Sequence, residues 1–128
     1  MSGHRILVVE DNERNLKLVR DVLQFAGYEV ISACSGEQGV RLAHERRPDL
    51  VLMDLQLPAM DGTEALRVLR EDPGARRIPV VAVTAFAMKD DRERALLAGF
   101  DGYLEKPINV RALPEQVRGY LNRKEHPA

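Results

Sequence analysis

Leu50-Val51-Leu52-Met53-Asp54-Leu55-Gln56-Leu57-Pro58 decides how this chain reads. Four apolar residues run straight into a carboxylate, and a turn signal follows at Pro58. A short continuous apolar run bounded by turn signals predicts a strand of a parallel sheet, buried on both faces. Asp54 then stands where the strand leaves the sheet, which is the end where open α/β sheets place ligand chemistry. Taken alone, Asp54 could equally be the first residue of an ordinary loop. The rest of the chain decides between the two.

Outward from that strand the same kind of run recurs. Arg5-Ile6-Leu7-Val8-Val9 is short, apolar and β-branched, which predicts a strand, and it ends at Glu10-Asp11. Asn12 is placed to cap a helix in which Leu16, Val19, Val22, Leu23 and Ala26 share a face and Gly27 ends the run. Residues 28–33 predict a second strand centred on Val30 and Ile31. Ser35 and Gln38 match a capping box for a helix to about Arg46, stopped by Pro48. Beyond Asp54, Asp61-Gly62-Thr63-Glu64 is another capping signal; Leu66 and Leu69 carry that helix to about Glu71, and Pro73-Gly74 breaks it.

Residues 78–83 predict a fourth strand ending at Thr84, with Pro79, which has no N–H to give, among its first residues. Residues 88–98 predict a polar helix with a thin apolar face, ended by Gly99. Residues 102–105 predict a fifth strand ending at Lys106-Pro107. The last helix begins at Asn109, with Val110, Leu113, Val117 and Leu121 on one face. Pro114 belongs in a first turn, so either the regular helix starts later or its first turn is irregular. Residues 122–128 are expected to form a polar, frayed tail beyond a core of about residues 5–121.

Five strands alternating with five helices predict one α/β domain, a doubly wound parallel sheet with right-handed crossovers. No linker, repeat or second domain interrupts residues 1–128. In a parallel sheet all strands point one way, so Glu10, Asp11, Asp54, Thr84 and Lys106 converge on one rim. With strand order 2-1-3-4-5, the first and third strands flank the switch point where ligands bind.

The composition is that of a soluble globular domain: 128 residues, 45% hydrophobic and 30% charged. A net charge of −1 gives no general drive toward nucleic acid or an anionic membrane. No apolar run approaches a membrane span, and no signal-peptide pattern opens the chain, so a cytoplasmic setting is expected. The single cysteine, Cys34, has no partner for an internal disulfide and is expected to pack at a strand end. His4, His44 and His126 show no ligand spacing and read as surface residues.

The chemistry follows from the residue types. Three clustered carboxylates raise one another's pKa and cost stability, and a divalent cation offsets that charge. A few protein carboxylates, with water and phosphate completing the shell, suit Mg²⁺. Lys106 adds a positive charge and Thr84 a hydroxyl. A carboxylate nucleophile among a cation, a Lys and a hydroxyl suits phosphoryl transfer.

At these residues the chain resembles the bacterial two-component response-regulator receiver domain. The matching pieces are Val8-Val9-Glu10-Asp11, Met53-Asp54-Leu55-Gln56-Leu57-Pro58, Met60-Asp61-Gly62, Val83-Thr84-Ala85 and Lys106-Pro107. The resemblance implies a flavodoxin-like fold with Asp54 as phosphoacceptor. It implies Glu10, Asp11, Asp54 and the Gln56 backbone carbonyl as Mg²⁺ ligands, Thr84 and Lys106 as phosphoryl contacts, a cis peptide before Pro107 and Tyr103 as a switch aromatic. Its implied partners are a sensor histidine kinase or histidine phosphotransfer protein, and a downstream protein that meets the 88–98 helix (Lys89, Arg92, Glu93), Tyr103 and the start of the last helix. Val83-Thr84-Ala85-Phe86-Ala87-Met88 with Glu10-Asp11-Asn12 is similar to single-domain receivers of the cell-division control type and also to receivers attached to hybrid kinases. Gln56 and Phe86, each two positions past a site residue, are expected to tune the lifetime of the phosphorylated state.

Three other readings compete. A phosphatase of the haloacid dehalogenase type needs a second Asp two positions after the nucleophile, where this chain has Gln56, which cannot act as acid or base. A nucleotide-binding site needs a glycine-rich loop after the first strand, where this chain has Glu10-Asp11-Asn12-Glu13. A receiver-like interaction module that takes no phosphate has no need of the full acidic set and Lys106.

Overall fold

The computed structural model describes residues 3–85 and 89–125. Its strands are β1 (Arg5–Val9), β2 (Glu29–Ala33), β3 (Leu50–Asp54), β4 (Val80–Thr84) and β5 (Gly102–Glu105). Its helices are α1 (Glu13–Phe25), α2 (Gly36–Arg46), α3 (Gly62–Glu71), α4 (Lys89–Ala98) and α5 (Leu113–Glu125). The strands form one parallel sheet in the expected order, β2-β1-β3-β4-β5.

Alternation along each strand divides the apolar residues between two cores. Leu7, Val9, Val51, Met53, Val80 and Ala82 face α2, α3 and α4, where Ala43, Leu66, Leu69 and Ala95 cover them. Ile6, Val8, Leu50, Leu52, Val81 and Val83 face α1 and α5, under Val19, Leu23, Leu113, Val117 and Leu121. Every residue of β3 and of β4 is buried, as expected of central parallel strands covered on both faces.

The caps account for the helix starts. Asn12 accepts the N–H groups of Arg14 and Asn15, and Asp61 accepts that of Glu64. At α2 the Ser35 hydroxyl accepts the Gln38 N–H, but the Gln38 side chain reaches back to the N–H of Cys34, one residue before the cap. α2 ends on Arg47 in the left-handed region (φ 47°), directly before Pro48.

Several expectations are corrected. Pro79 precedes β4 and supplies only its carbonyl, which accepts the Val51 N–H. Asn109 organises a turn, accepting the N–H groups of Arg111 and Ala112, and regular α5 starts at Leu113 with Pro114 in its first turn; Val110 is therefore exposed. α5 continues to Glu125, so the helix extends into the stretch expected to fray. Cys34 lies past the end of β2, exposed, with its Sγ 3.3 Å from Gln38 Oε1, and does not pack in the core. His44 is exposed and pairs with Asp72, whereas His4 is half-buried against the Tyr28 ring. Met88 and His126 lie outside the described residues.

Candidate functional site

Strand register brings the polar residues together. Val9 pairs with Met53, so Glu10 and Asp54 stand level; Asp54 pairs with Val83 and Thr84 with Glu105, so Thr84 follows one step on and Lys106 a further step. Alternation then sorts them by face. Glu10, Asp54 and Lys106 continue the rows of Val8, Leu52 and Leu104, on the α1/α5 side. Thr84 continues the row of Ala82, and Tyr103 packs on the same side, over α3 and α4.

Lys106 is the centre of the charged set. Its Nζ lies 2.6 Å from Glu10 Oε1 and 2.9 Å from Asp54 Oδ2. The other oxygen of each acid is held by backbone: Glu10 Oε2 accepts the Asn12 N–H (3.1 Å) and Asp54 Oδ1 accepts the Gln56 N–H (2.9 Å). Glu10 and Asp54 are buried, and among the described residues no buried polar side-chain atom lacks a partner. Burial above all, then the neighbouring Asp54, pushes Glu10 above the usual carboxylate value, against the hydrogen bonds from Lys106 and Asn12. Burial works against the Lys106 charge, but its hydrogen bonds to Glu10 and Asp54 outweigh it and raise the ammonium above its ordinary value.

Asp11 is exposed and completes an acidic set with Glu10 and Asp54, their ligand oxygens all within 4.8 Å of one another. The donors are all carboxylate oxygens, the set that suits a hard cation such as Mg²⁺. Three carboxylates against the one Lys106 ammonium leave a formal charge of −2, which a divalent ion matches. Gly62 lets α3 begin hard against this corner, since a Cβ there would lie 2.6 Å from the Asp54 carbonyl. The Lys106–Pro107 peptide is cis, as expected. An apolar cleft of about 290 Å³ opens beside Asp54 and Lys106, lined among others by Leu18, Val83 and Ile108.

Thr84 is buried and its main-chain carbonyl accepts the Lys106 N–H at 2.8 Å. Gln56 is exposed beside Asp54, and Phe86 lies outside the described residues. In the sequence Glu10 and Asp11 stand as equals, whereas the structure buries the first and exposes the second. The Asn12 N–H that supports Glu10 has no signal in the sequence, since a glutamate bonded to the N–H two residues on is not an Asx turn.

Residues 6–118 match the family model for the response regulator receiver domain. The chain belongs to that family. The polar-differentiation response regulator DivK of Brucella anthropi is 48% identical over 116 residues, covering 91% of this chain and 94% of the relative. Among solved structures, a CheY-like receiver domain protein from Methanospirillum hungatei superposes with a TM-score of 0.87 at 33% identity, covering 99% of this chain and 100% of its own. The receiver domain of the sensor histidine kinase PA1611 from Pseudomonas aeruginosa matches at 39% identity and TM-score 0.86, covering 94% of this chain and 99% of its own; that structure has a magnesium ion coordinated in its active-site cleft. This receiver domain is thus a DivK-like response regulator of two-component signalling. Among its described residues no helix is long and apolar enough to cross a membrane.

Proposed function

We propose that the domain is a phosphoacceptor switch in which Asp54 takes a phosphoryl group from a histidine kinase or a histidine phosphotransfer protein. The observation that carries this reading is the Lys106 ammonium held against both Glu10 and Asp54 on the buried rim. An Asp54 carboxylate oxygen attacks phosphorus, the P–N bond of the phosphohistidine breaks, and the imidazole leaves with the bonding pair and picks up a proton. Lys106 faces the growing negative charge, and the Thr84 hydroxyl supplies a donor to a phosphoryl oxygen. Glu10, Asp11 and Asp54, with the Gln56 backbone carbonyl, would hold Mg²⁺, which supplies charge neutralisation and orientation when bound. The apolar cleft beside Asp54 offers a seat for an apolar side chain of the phosphodonor. The domain catalyses its own phosphorylation and dephosphorylation and no other reaction. Its setting is the cytoplasm, where kinase and phosphotransfer domains work.

The readout lies on the other side of the sheet. Thr84 drawn to a phosphoryl oxygen opens space toward Tyr103, which is half-buried on the α4 side. The partner face is then α4 with Tyr103 and the start of α5, where Arg92, Tyr103, Glu105, Ile108 and Gln116 line a recess of about 360 Å³. Lys89 also belongs to this face by position, its side chain lying outside the described residues.

The test is labelling by a small acyl phosphate, read by intact mass. One phosphoryl increment is expected with Mg²⁺, none with excess chelator, and none in Asp54→Asn with its far-ultraviolet circular dichroism unchanged. Full labelling of Asp54→Asn, or of the parent protein in chelator, contradicts the reading.

A further inference from the structure

Arg70, in the last turn of α3, is bonded in a way that the phosphoacceptor site does not require. Its Nη1 donates to the carbonyls of Arg76 (2.9 Å) and Ile78 (2.8 Å). Its Nη2 donates to the Gly99 carbonyl (3.2 Å) and to Asp101 Oδ2 (2.8 Å). The same Asp101 oxygen accepts the Val80 N–H, and the Asp101 N–H returns to the Val80 carbonyl, both at 2.8 Å. A planar guanidinium with several fixed donors can tie this many chain segments at once. Here it knots α3, the entry to β4, the end of α4 and the entry to β5, at the N-terminal ends of the strands, the edge of the sheet opposite Asp54.

Among the described side chains, the remainder of α4 is held far less. Ala95 is its one buried side chain among those described, and Phe100 beside the knot is buried too; Arg92, Glu93, Arg94, Leu96 and Leu97 are exposed. Between α3 and α4 lies a cleft. Near the knot it measures about 470 Å³ and is lined by Leu66, Arg67 and Arg70; toward the site it measures about 480 Å³ and is lined by Gln56, Thr84 and Arg94. Thr63 and Ala98 line both parts, so the two adjoin.

A helix fixed at one end with open space along its flank moves by pivoting. Sliding it whole would break the Arg70–Gly99 bond and expose Phe100. We propose that the Arg70–Asp101 clamp is the fulcrum of a lever formed by α4, whose N-terminal end swings toward the α3/α4 cleft when Thr84 is engaged, while residues 95–101 stay in place. The proposal rests on the phosphoacceptor reading and adds to it a direction of motion and the two side chains that set the pivot.

Hydrogen exchange of the full chain, with and without beryllofluoride and Mg²⁺ as the phosphoryl mimic, tests it. In the parent protein the mimic is expected to change exchange at residues 54–58 and 89–94 and to leave 95–101 within about twofold. In Arg70→Gln the difference made by the mimic is expected to spread through 95–104, with 54–58 responding as before. Asp101→Asn, which keeps an acceptor for Val80, is expected to do the same should Arg70→Gln fold poorly. Thr63→Trp, which fills the cleft, is expected to remove the response at 89–94 and retain it at 54–58. A merely structural Arg70 would raise exchange at 95–104 equally with and without the mimic, and that result overturns the fulcrum. So does a parent protein in which 95–101 respond as strongly as 89–94. A parent protein with no response at 54–58 overturns the phosphoacceptor reading itself, and the lever with it.

Discussion

α1 and α4 lie on opposite faces of the sheet, and each runs from the rim that carries the site. α1 is capped by Asn12, buries Val19 and Leu23, half-buries Leu16 and Val22, and ties its cap residue to Glu10. α4 buries Ala95 alone among its described side chains and turns Leu96 and Leu97 outward. Full burial of a Val or Leu side chain is worth about 1.5–3 kcal/mol, and an alanine methyl much less. The helix beside the carboxylates is therefore part of the frame, while the one beside Thr84 is held at its far end by the Arg70 knot. Phosphoryl chemistry needs groups that stay where they are, whereas a signal needs an element that is cheap to move. In the proposed function, the alternation of β-strand side chains would let one rim serve both needs, with Asp54 and Lys106 over the fixed face and Thr84 over the loose one.

The largest effect expected from this contrast is on stability. Leu23→Ala in α1 should cost about 2–5 kcal/mol in urea unfolding, because the cavity would lie under a fully packed helix. A loss below about 1 kcal/mol would show that α1 is no firmer than α4.

Next in size is Lys106→Met. It leaves Glu10 and Asp54 buried side by side without a cation, so metal-free protein should lose about 3 kcal/mol at neutral pH. Mg²⁺ should restore more stability to this variant than to the parent, since it binds only the folded state and no longer competes with the ammonium. Equal gains in the two proteins would place the cation elsewhere.

How much of this was legible in the sequence follows the physics of each element. β3 and β4 announce themselves because a strand buried on both faces is a continuous apolar run, and Asp54 and Thr84 stand out at their ends. Glu10 against Asp11 was harder, since both are acids after a strand and only the register with β3 separates buried from exposed. The start of α5 is ambiguous in the sequence because Asn109 and Pro114 each signal a helix start, and the structure uses the first for a turn and the second for the helix. Arg70 was illegible. Its partners are three carbonyls and an aspartate 31 positions away, and nothing local sets it apart from its neighbours Arg67, Arg76 and Arg77.

A smaller effect is expected with pH. Glu10 titrates above its ordinary value of 4.5 in the folded protein, so between the two values the folded state binds more protons than the unfolded one. Stability of the metal-free domain should therefore fall as pH rises from about 4.5 through the folded Glu10 value, and saturating Mg²⁺ should flatten that slope by favouring the ionised form. Lys106 acts at higher pH, where its stabilising charge is lost only above its ordinary range. Urea midpoints across this range with and without Mg²⁺ give the sign, and a rising slope in metal-free protein would contradict it. The smallest effect belongs to Leu97→Ala on α4, expected within about 0.5 kcal/mol of the parent because the side chain is 88% exposed. A larger loss would mean that α4 is anchored along its length.

The most direct measurement is to locate the phosphoryl group. The acyl phosphate formed with Mg²⁺ is reduced with borohydride, which converts a phosphorylated aspartate to homoserine, and the digested chain is mapped by mass. With Asp54 as the proposed phosphoacceptor, homoserine is expected at position 54, in the peptide that carries Met53 and Leu55, with Asp11 and Asp61 unchanged. Homoserine at Asp11 or Asp61 with Asp54 intact would contradict the assignment of the carboxylate that Lys106 holds on the buried rim.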